Sequence, residues 1–483
     1  MNTNYCRHQK ITGKTFFMKL SLFLLLSISI TTSSFANEKQ TADWIVYADY
    51  LVTMQAGQAV IQDGAVAVRG KDIIAVGTRQ SIDKQFQASN QISGKDRILM
   101  PGLINGHTHS AMSLFRGLAD DLELMTWLNK YIFPMENKFV NPDFIKTGAQ
   151  LACWEMIQGG ITTFVDMYFY PEVIAEETIN CGLRAILGAP AIDYPSPGFK
   201  GWEDSHAAAV KFVTDWQGKH ERITPAFAPH APYTVAPEHI TQVANAARKL
   251  KAPITTHLAE SPHEMAMIKQ QYQKTSIKHV ADLGMFDQIQ LIAAHVVYPD
   301  AEDMKTLANN TAGAIHNPTS NLKIASGISP VPDLLSNGVA VGLGTDGAAS
   351  NNDLDLWEEI RLAALIHKVD KMDPTVVPAG QALDMATRLG AKAIGMDKTI
   401  GQLKPGLRAD LIQIAYDDLR LQPMFNVVSH LVYVTDSQDV VTSMVSGQLL
   451  MRDREVLSIN KYELQKDVKR QSKTLNEALN LAQ

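Results

Sequence analysis

The middle of the chain repeats one pattern eight times: an apolar run ends in polar residues, and a helix-like stretch follows. The runs cover residues 98–104, 161–165, 185–189, 223–228, 253–256, 290–294, 312–315 and 339–343. Between them, stretches such as 237–250 and 301–309 have the apolar spacing of amphipathic helices. Strands alternating with helices predict a parallel sheet, and eight units in about 300 residues predict a closed (β/α)8 barrel. A doubly wound open sheet is the alternative, although no Gly-x-Gly-x-x-Gly motif follows the first run.

Two further segments have a different pattern, with short β-rich runs punctuated by glycine. They cover residues 43–97 and 402–452. Segments so far apart in sequence can pair into one small domain around an insertion. The predicted architecture is therefore an α/β protein with a TIM-type barrel at 98–401. A small β-sandwich domain is expected from residues 37–97 and 402–483, the second part ending in a terminal helix.

The first 36 residues have the layout of an export signal. An apolar run at 20–30 precedes a small-x-small cleavage site, Ser34-Phe35-Ala36, and follows four basic residues, Arg7, Lys10, Lys14 and Lys19. Cleavage after Ala36 predicts secretion across the inner membrane, into the periplasm, and an uncut membrane anchor is the alternative. No later stretch reaches about 18 uninterrupted apolar residues, so we expect no membrane association after cleavage.

Composition narrows the functional classes. Of 483 residues, 46% are hydrophobic and 19% are charged, which is typical of a globular protein. A net charge of −6 does not favour nucleic-acid binding. Three cysteines without a Cys-x-x-Cys spacing exclude a disulfide framework and a thiolate zinc cluster. Cys153 and Cys181 are expected to be buried free thiols, with a disulfide in an oxidising compartment as the alternative.

Metal-binding residue types follow several predicted strands, where a (β/α)8 barrel forms its active site. His107 and His109 follow the first run, and alternate residues of an extended segment face the same side. Later strand ends carry His230, His257, His295 and Asp346, and Glu260 lies three residues after His257. The set predicts a metal site of His107, His109, His257 and Asp346. Three imidazoles and one carboxylate suit Zn²⁺, with Fe²⁺ or Mn²⁺ also possible.

Two longer signatures resemble the amidohydrolase superfamily. Residues 101–109, Pro-Gly-Leu-Ile-Asn-Gly-His-Thr-His, resemble its first-strand signature, and residues 401–411 resemble its return to the β domain. Further segments resemble the 5-methylthioadenosine/S-adenosylhomocysteine deaminases, and several also occur in related triazine hydrolases: 115–122, 127–128, 166–169, 228–233, 316–323 and 344–352. The resemblance covers residues 43–452 and implies the barrel, the β domain and a metal-dependent hydrolase.

The resemblance also implies roles for individual residues. Zinc would be bound by His107, His109, His257 and Asp346, while Glu260 would hold the purine and move protons. His295 would contact the reacting water, Trp127 and Glu136 would lie near the sugar, and His230 would lie near the purine. Zinc lowers the pKa of bound water to about 7. Asp346 can then take a proton from that water, and Glu260 can protonate a ring nitrogen, so that ammonia leaves.

The implied activity is hydrolytic deamination of adenosine-type nucleosides, namely 5′-methylthioadenosine, 5′-deoxyadenosine and adenosine, to the inosine analogues. A triazine-type amino- or chlorohydrolase, or a deaminase of another aminated heterocycle, is the alternative. A non-catalytic scaffold and a nucleoside-binding protein without turnover are the non-enzyme hypotheses. The expected partner is a small molecule rather than nucleic acid, and a homo-oligomer is compatible with the sequence.

Two departures from the family sharpen these expectations. The fourth strand end, residues 228–232, lacks the carboxylated lysine that bridges two metal ions in other superfamily members, so a single ion is predicted. Members that accept S-adenosylhomocysteine resemble one another in an arginine after strand three, whereas residues 187–198 contain none. Arg184 lies at the opposite end of that strand, and Asp193 would repel a carboxylate if it faced inward. Nucleosides with apolar 5′ groups are therefore expected to be preferred.

Overall fold

The computed structural model describes residues 39–480, so the predicted export signal lies outside the described residues. The N-terminal strands and one helix are β1 (Gln40–Leu51), β2 (Ile61–Arg69), β3 (Asp72–Thr78), α1 (Arg79–Gln85), β4 (Phe86–Ile92) and β5 (Arg97–Pro101). Strands β1, β2 and β3 pair in antiparallel order. The long β1 pairs in parallel with β4 along its first half and with β5 at its end.

Eight strands form a second, fully parallel sheet in which sequence order equals spatial order. They are β6 (Leu103–Thr108), β7 (Ile161–Met167), β8 (Arg184–Ala191), β9 (Ile223–Pro229), β10 (Ile254–Leu258), β11 (Leu291–His295), β12 (Ala312–His316) and β13 (Ala340–Leu343). The sheet curves until its first and last strands meet. There Asn105 Nδ2 donates to Thr345 Oγ1 at 2.8 Å, and the Asp346 amide donates to the His107 carbonyl at 3.0 Å. The predicted (β/α)8 barrel is confirmed.

The first apolar run is the one that the prediction placed incorrectly. Residues 98–104 are not a single barrel strand, because β5 belongs to the other sheet and the barrel begins at Leu103. The chain crosses between the sheets at Gly102. A side chain there would come within 2.2 Å of Thr162, so the crossing requires glycine. A continuous apolar pattern cannot reveal this change of sheet, since both strands are buried.

Helices follow the barrel strands along the chain. They are α2 (Leu124–Trp127), α3 (Phe133–Phe139), α4 (Pro142–Gly159), α5 (Pro171–Cys181), α6 (Trp202–Trp216), α7 (Pro237–Leu250), α8 (Pro262–Tyr272), α9 (Ser276–Asp282), α10 (Ala301–Asn309), α11 (Pro318–Lys323), α12 (Val331–Ser336), α13 (Leu356–Asp370), α14 (Ala379–Met385) and α15 (Arg388–Ala393). The two stretches predicted as helices from their periodicity are α7 and α10. Helix α7 buries Ile240, Val243, Ala244 and Ala247, which is the expected i, i+3, i+4, i+7 stripe.

The chain then returns to the first sheet through β14 (Leu411–Ala415), α16 (Val427–Tyr433), β15 (Val440–Val445), β16 (Gln448–Arg452), β17 (Glu455–Val456) and α17 (Lys461–Asn480). Strand β14 pairs with β5, which makes one nine-stranded sheet from both chain ends. Its shared core includes Val46 and Leu99 from one end and Leu411 and Met444 from the other. The predicted small β domain built from both chain ends is confirmed.

Two cysteines correct the prediction of free thiols. Cys153 in α4 and Cys181 at the end of α5 form a disulfide, with their Cα atoms 6.4 Å apart. Helices α4 and α5 pack against each other and bring these positions together. Their separation of 28 residues in sequence contains no information on this proximity. Within residues 39–480, no helix is both long enough and apolar enough to cross a membrane.

Candidate active site

A deep cavity lies at the carboxyl ends of the barrel strands, where this fold places active sites. Its lining contains nearly every predicted site residue: His109, Trp127, Glu136, His230, His257, Glu260, His295 and Asp346. His107 is fully buried and is not part of the lining. The structure therefore brings together residues from five strand ends and from the segment after β6, as the sequence predicted.

The four predicted metal ligands converge on one point. Asp346 Oδ1 lies 3.4 Å from His107 Nε2 and 3.3 Å from His109 Nε2. His257 Nε2 lies 3.3 Å from His109 Nε2. His295 also belongs to the cluster, since its ligand atom and those of His107 and His257 all lie within 4.8 Å of one another.

The hydrogen bonds behind these imidazoles favour a cation between them. His109 Nδ1 donates to the Met167 carbonyl at 2.7 Å, and His257 Nδ1 donates to the His230 carbonyl at 2.9 Å. A carbonyl can only accept, so each Nδ1 carries the proton and each Nε2 directs a lone pair into the cluster. The two Nε2 atoms lie 3.3 Å apart, so their lone pairs repel each other unless a proton on His109 or a metal ion lies between them.

His107 provides a second indication. Neither of its ring nitrogens has a hydrogen-bond partner among the described residues, although both are buried. An unpaired buried polar group costs about 1–3 kcal/mol. Burial also lowers the pKa of His107 to about 4, which keeps the ring neutral and able to act as a ligand. Three imidazoles and a carboxylate are a donor set suited to a divalent ion such as zinc.

Asp346 is the charged member of the cluster, and neighbouring side chains fix its orientation. Its Oδ2 accepts hydrogen bonds from Ser320 Oγ at 2.6 Å and Ser350 Oγ at 3.1 Å, and its Oδ1 accepts from the Gly347 amide at 2.7 Å. Burial raises the pKa of Asp346, but the adjacent imidazoles of His107 and His109 outweigh burial and hold the pKa well below its usual range. The carboxylate is therefore available as a ligand and as a proton acceptor.

The interaction with Asp346 also changes the pKa of His109. Burial lowers its pKa, but its hydrogen bond to Asp346 outweighs that effect and raises the pKa to about 9. The proton that this raised pKa retains on the ring occupies the nitrogen facing Asp346. A bound cation competes with that proton, so metal binding at this site releases it.

Glu260 reaches the cavity from the turn after β10. The Ala259 and Glu260 amides both donate to the Glu264 carboxylate at 2.8 Å, which fixes this turn and directs Glu260 inward. Its Oε1 lies 3.8 Å from His295 Nε2, and His295 Nδ1 is hydrogen-bonded to Asn321 Oδ1 at 2.8 Å. Burial raises the pKa of Glu260, so this carboxyl group holds a proton more readily than an exposed glutamate does.

The outer part of the cavity is mostly apolar, with two polar residues that the sequence predicted. Glu136 accepts a hydrogen bond from Tyr168 OH at 2.7 Å, and burial raises the pKa of Glu136 to about 7 despite that bond. His230 Nδ1 lies 3.0 Å from Thr234 Oγ1, and burial lowers the pKa of His230 to about 3. Trp127 completes this group on the side of α2.

Several functional residues were not predicted individually. Ser320, Ser350 and Asn321 fix the orientation of Asp346 or His295, Glu264 shapes the turn that carries Glu260, and Tyr168 contacts Glu136. Four of the five lie in segments that matched the family pattern, but hydroxyl and amide side chains are too common in loops to indicate a role. Their function follows only from which atoms they contact.

No lysine or arginine within residues 39–480 lines the cavity. Arg184 pairs instead with Asp410 at the far end of β8, where Nε and Oδ2 are 2.9 Å apart. Asp193 does not face the cavity, because its carboxylate accepts hydrogen bonds from the Ala236 amide at 2.7 Å and from His239 Nδ1 at 2.8 Å. The repulsion considered from sequence is therefore absent, and so is a cation that could pair with a substrate carboxylate.

Comparisons with known proteins agree with this geometry. The amidohydrolase family pattern matches residues 98–450. A 5-methylthioadenosine/S-adenosylhomocysteine deaminase of Syntrophus aciditrophicus is 39% identical over 440 residues, which cover 91% of this chain and 99% of that protein. A 5′-deoxyadenosine deaminase of Methanosarcina barkeri is 40% identical, covering 90% of this chain and 98% of that protein.

A solved structure of a related protein has the same fold. The crystal structure of an adenosine deaminase from Xanthomonas campestris with bound zinc superimposes with a TM-score of 0.88 and 34% sequence identity. The superposition covers 91% of this chain and all of that one. The barrel, the β domain and the site agree with similarities that extend over nearly the whole chain. We conclude that the chain belongs to the amidohydrolase family.

Proposed function

We propose that this protein is a metal-dependent deaminase that hydrolyses the 6-amino group of adenosine-type nucleosides, with 5′-methylthioadenosine, 5′-deoxyadenosine and adenosine as substrates. The observation that carries the proposal is the convergence of three imidazoles and Asp346 beside the buried carboxyl group of Glu260. Two relatives that are about 40% identical bear the names of deaminases acting on such nucleosides, which supports this substrate class.

One divalent ion, with zinc as the best match to the donor set, would be held by His107, His109, His257 and Asp346. When bound, such an ion acts as a Lewis acid that activates water for attack. A single ion is proposed because β9 ends in Pro229 followed by His230, and no lysine in the described part of the chain lines the cavity. Zinc in the related crystal structure supports this choice of metal.

The side chains around the ion can carry the proton transfers of a hydrolytic deamination. Asp346 is ionised and can accept a proton from the attacking water. Glu260, with its raised pKa, can donate a proton to a purine ring nitrogen, which makes carbon six electrophilic. The water oxygen bonds to carbon six, the amino group takes up the proton that Asp346 accepted, and the carbon–nitrogen bond breaks to release ammonia. The remaining hydroxyl proton returns to Glu260, which leaves the inosine analogue. His295, 3.8 Å from Glu260, lies where it can contact the same water.

The direct test measures ammonia release by the purified protein after its metal content has been determined. The substrates are adenosine, 5′-deoxyadenosine, 5′-methylthioadenosine and a chlorotriazine, for which chloride is also measured. We expect ammonia from the nucleosides and no chloride. Chloride release without nucleoside deamination would identify a triazine-type hydrolase, and nucleoside binding without turnover would identify a binding protein.

A matched variant connects the activity to the site. Glu260→Gln keeps the shape of the side chain but cannot exchange a proton in the same way. General acid–base groups contribute about 10²–10⁴-fold, so the nucleoside rate should fall at least about 100-fold with unchanged metal content. A Glu260→Gln protein within a few-fold of the parent would remove Glu260 from the mechanism.

We further propose that the protein is exported and that its mature form begins at Asn37. The basic start, the apolar run at 20–30 and the small-x-small site support export. The Cys153–Cys181 disulfide supports an oxidising compartment, since such bonds persist outside the reducing cytoplasm. Cell fractionation with N-terminal sequencing of the native protein tests both points, and an uncut cytoplasmic product would overturn them.

A further inference from the structure

One wall of the cavity contains two hydroxyl groups with no assigned role. Tyr194 and Ser196 lie in the loop after β8, and both line the cavity. Within residues 39–480, neither Tyr194 OH nor Ser196 Oγ has a hydrogen-bond partner, and both atoms are buried. A buried hydroxyl without a partner is unfavourable, so its presence in a cavity wall indicates a ligand that supplies the missing hydrogen bond.

The backbone of this loop is fixed by contacts that face away from the cavity. Asp193 accepts hydrogen bonds from the Ala236 amide and from His239 Nδ1, at 2.7 and 2.8 Å. The ring of His239 in turn stacks on Trp202, with centroids 4.0 Å apart and planes 7° apart. These contacts hold Asp193 away from the cavity and fix the backbone next to Tyr194.

The second hydroxyl is held by a tight turn. The Ser196 amide donates to the Phe199 carbonyl at 3.1 Å, and the Phe199 amide donates back to the Ser196 carbonyl at 2.8 Å. Tyr194 and Ser196 are two residues apart in this loop, and both line the cavity. The Tyr194 ring also packs against Phe133, with ring centroids 5.8 Å apart, which fixes the position of its hydroxyl.

The chemistry of this wall limits what can bind. A hydroxyl group can donate one hydrogen bond and accept others, but it carries no charge. The surrounding wall is apolar, with Phe133, Pro195 and Pro197 among its residues. Glu136 lines the same cavity and accepts a hydrogen bond from Tyr168 OH. An uncharged ligand that bears hydroxyl groups beside an apolar part fits this wall, whereas a carboxylate would find no cation.

We propose that Tyr194 and Ser196 form a subsite that binds sugar hydroxyls of the nucleoside and so selects nucleosides over free bases. This inference rests on the proposed function, because it assigns part of the same cavity to the sugar. The two hydroxyls are substrate-binding groups and take no part in proton transfer. Removing them is expected to raise KM and to leave kcat and metal content nearly unchanged.

The test combines two variants with substrates that lack one group at a time. Tyr194→Phe and Ser196→Ala are compared with the parent on 5′-methylthioadenosine, on its 2′-deoxy and 3′-deoxy analogues, and on adenine. Each substitution should lower kcat/KM on the full nucleoside about 3- to 10-fold through KM, the range for a neutral hydrogen bond. On the analogue that lacks the contacted hydroxyl, and on adenine, the same substitution should change kcat/KM less than twofold. Tyr131→Phe, at an exposed tyrosine outside the cavity, is the matched control.

The outcomes separate this subsite from the proposed function. If the parent deaminates nucleosides and both variants match it on every substrate, the subsite is wrong and the deaminase activity stands. An equal loss on nucleosides and adenine would also overturn the subsite, because it would indicate a general change in the cavity. If the parent deaminates no nucleoside, the proposed function fails, and the subsite fails with it. Should Tyr194→Phe not fold, Ser196→Ala tests the same prediction alone.

Discussion

A buried carboxyl group behind the site provides a sharp test of its electrostatics. Glu359 in α13 is fully buried, and its two oxygens join the loops that follow the last two barrel strands. The Thr319 amide donates to Oε2 at 3.0 Å, and Asn351 Nδ2 donates to Oε1 at 2.7 Å. Each of these donors is the sequence neighbour of a serine that fixes the orientation of Asp346. Glu359 therefore ties together the supports of the charged ligand.

The contribution of Glu359 to the free energy of unfolding depends on pH. Burial raises the pKa of Glu359 from an ordinary 4.5 to about 8, against the opposing effect of its hydrogen bonds. A raised pKa means that the folded protein binds the proton more tightly than the unfolded chain does. The contribution to stability is full below about pH 4.5 and is lost as pH rises toward 8, at about 1.4 kcal/mol per pH unit. Between pH 5 and pH 8 the loss is on the order of 3–4 kcal/mol.

Glu359→Gln removes the titration while keeping the shape of the side chain. We expect the free energy of unfolding of the parent to fall about 3–4 kcal/mol more than that of Glu359→Gln between pH 5 and pH 8. Urea denaturation at both pH values measures this difference for the metal-loaded proteins. The neighbouring Glu358 is exposed, so Glu358→Gln is the matched control and should follow the parent. Parallel curves for the parent and Glu359→Gln would refute the reasoning.

Three further predictions concern the metal, the disulfide and the substrate. His257→Ala should lose the bound ion and the activity while keeping the folded circular-dichroism spectrum; two ions per parent chain, or full activity after exhaustive chelation, would contradict this. Replacing Cys153 and Cys181 together by alanine should lower the free energy of unfolding by about 3.5 kcal/mol, as expected for a loop of this length; an unchanged urea midpoint would argue against it. No cation within residues 39–480 lines the cavity, so the carboxylate of S-adenosylhomocysteine has no charged partner there. Each missing charge-assisted hydrogen bond is worth about 1.5–3 kcal/mol. We therefore expect kcat/KM for 5′-methylthioadenosine to exceed that for S-adenosylhomocysteine at least about tenfold. Comparable values for the two substrates would overturn this preference.

The barrel could be predicted from sequence because its strands are buried on both faces. Such strands appear as short continuous apolar runs, and the intervening helices show a distinct periodicity. Residues 237–250 and 301–309 illustrate this, since the pattern and the structure agree on both helices. The crossing at Gly102 could not be predicted in the same way. Two buried strands from different sheets form one apolar run across Pro101 and Gly102, and only their different strand partners distinguish them.

The site could be predicted as far as the fold fixes its position. In a parallel barrel every strand ends at the same rim, so a histidine directly after a strand lies near the other strand ends. This geometry alone places His109, His257 and Asp346 in one cluster. The supports of these residues could not be predicted, because Ser320, Glu264 and similar residues reach the site from loops whose paths depend on tertiary packing.

The backbone at the site shows why local propensity fails there. His295 and Asp346 have φ values of +74° and +61°, in the left-handed region that side chains other than glycine avoid. Such a conformation costs roughly 1–2 kcal/mol per residue. The amide of Asp346 is held by the His107 carbonyl, and the side chain of His295 is held by Asn321. These contacts and the apolar core of the barrel offset the unfavourable backbone. The positions are therefore imposed by the fold, and strained backbone of this kind is common at active sites.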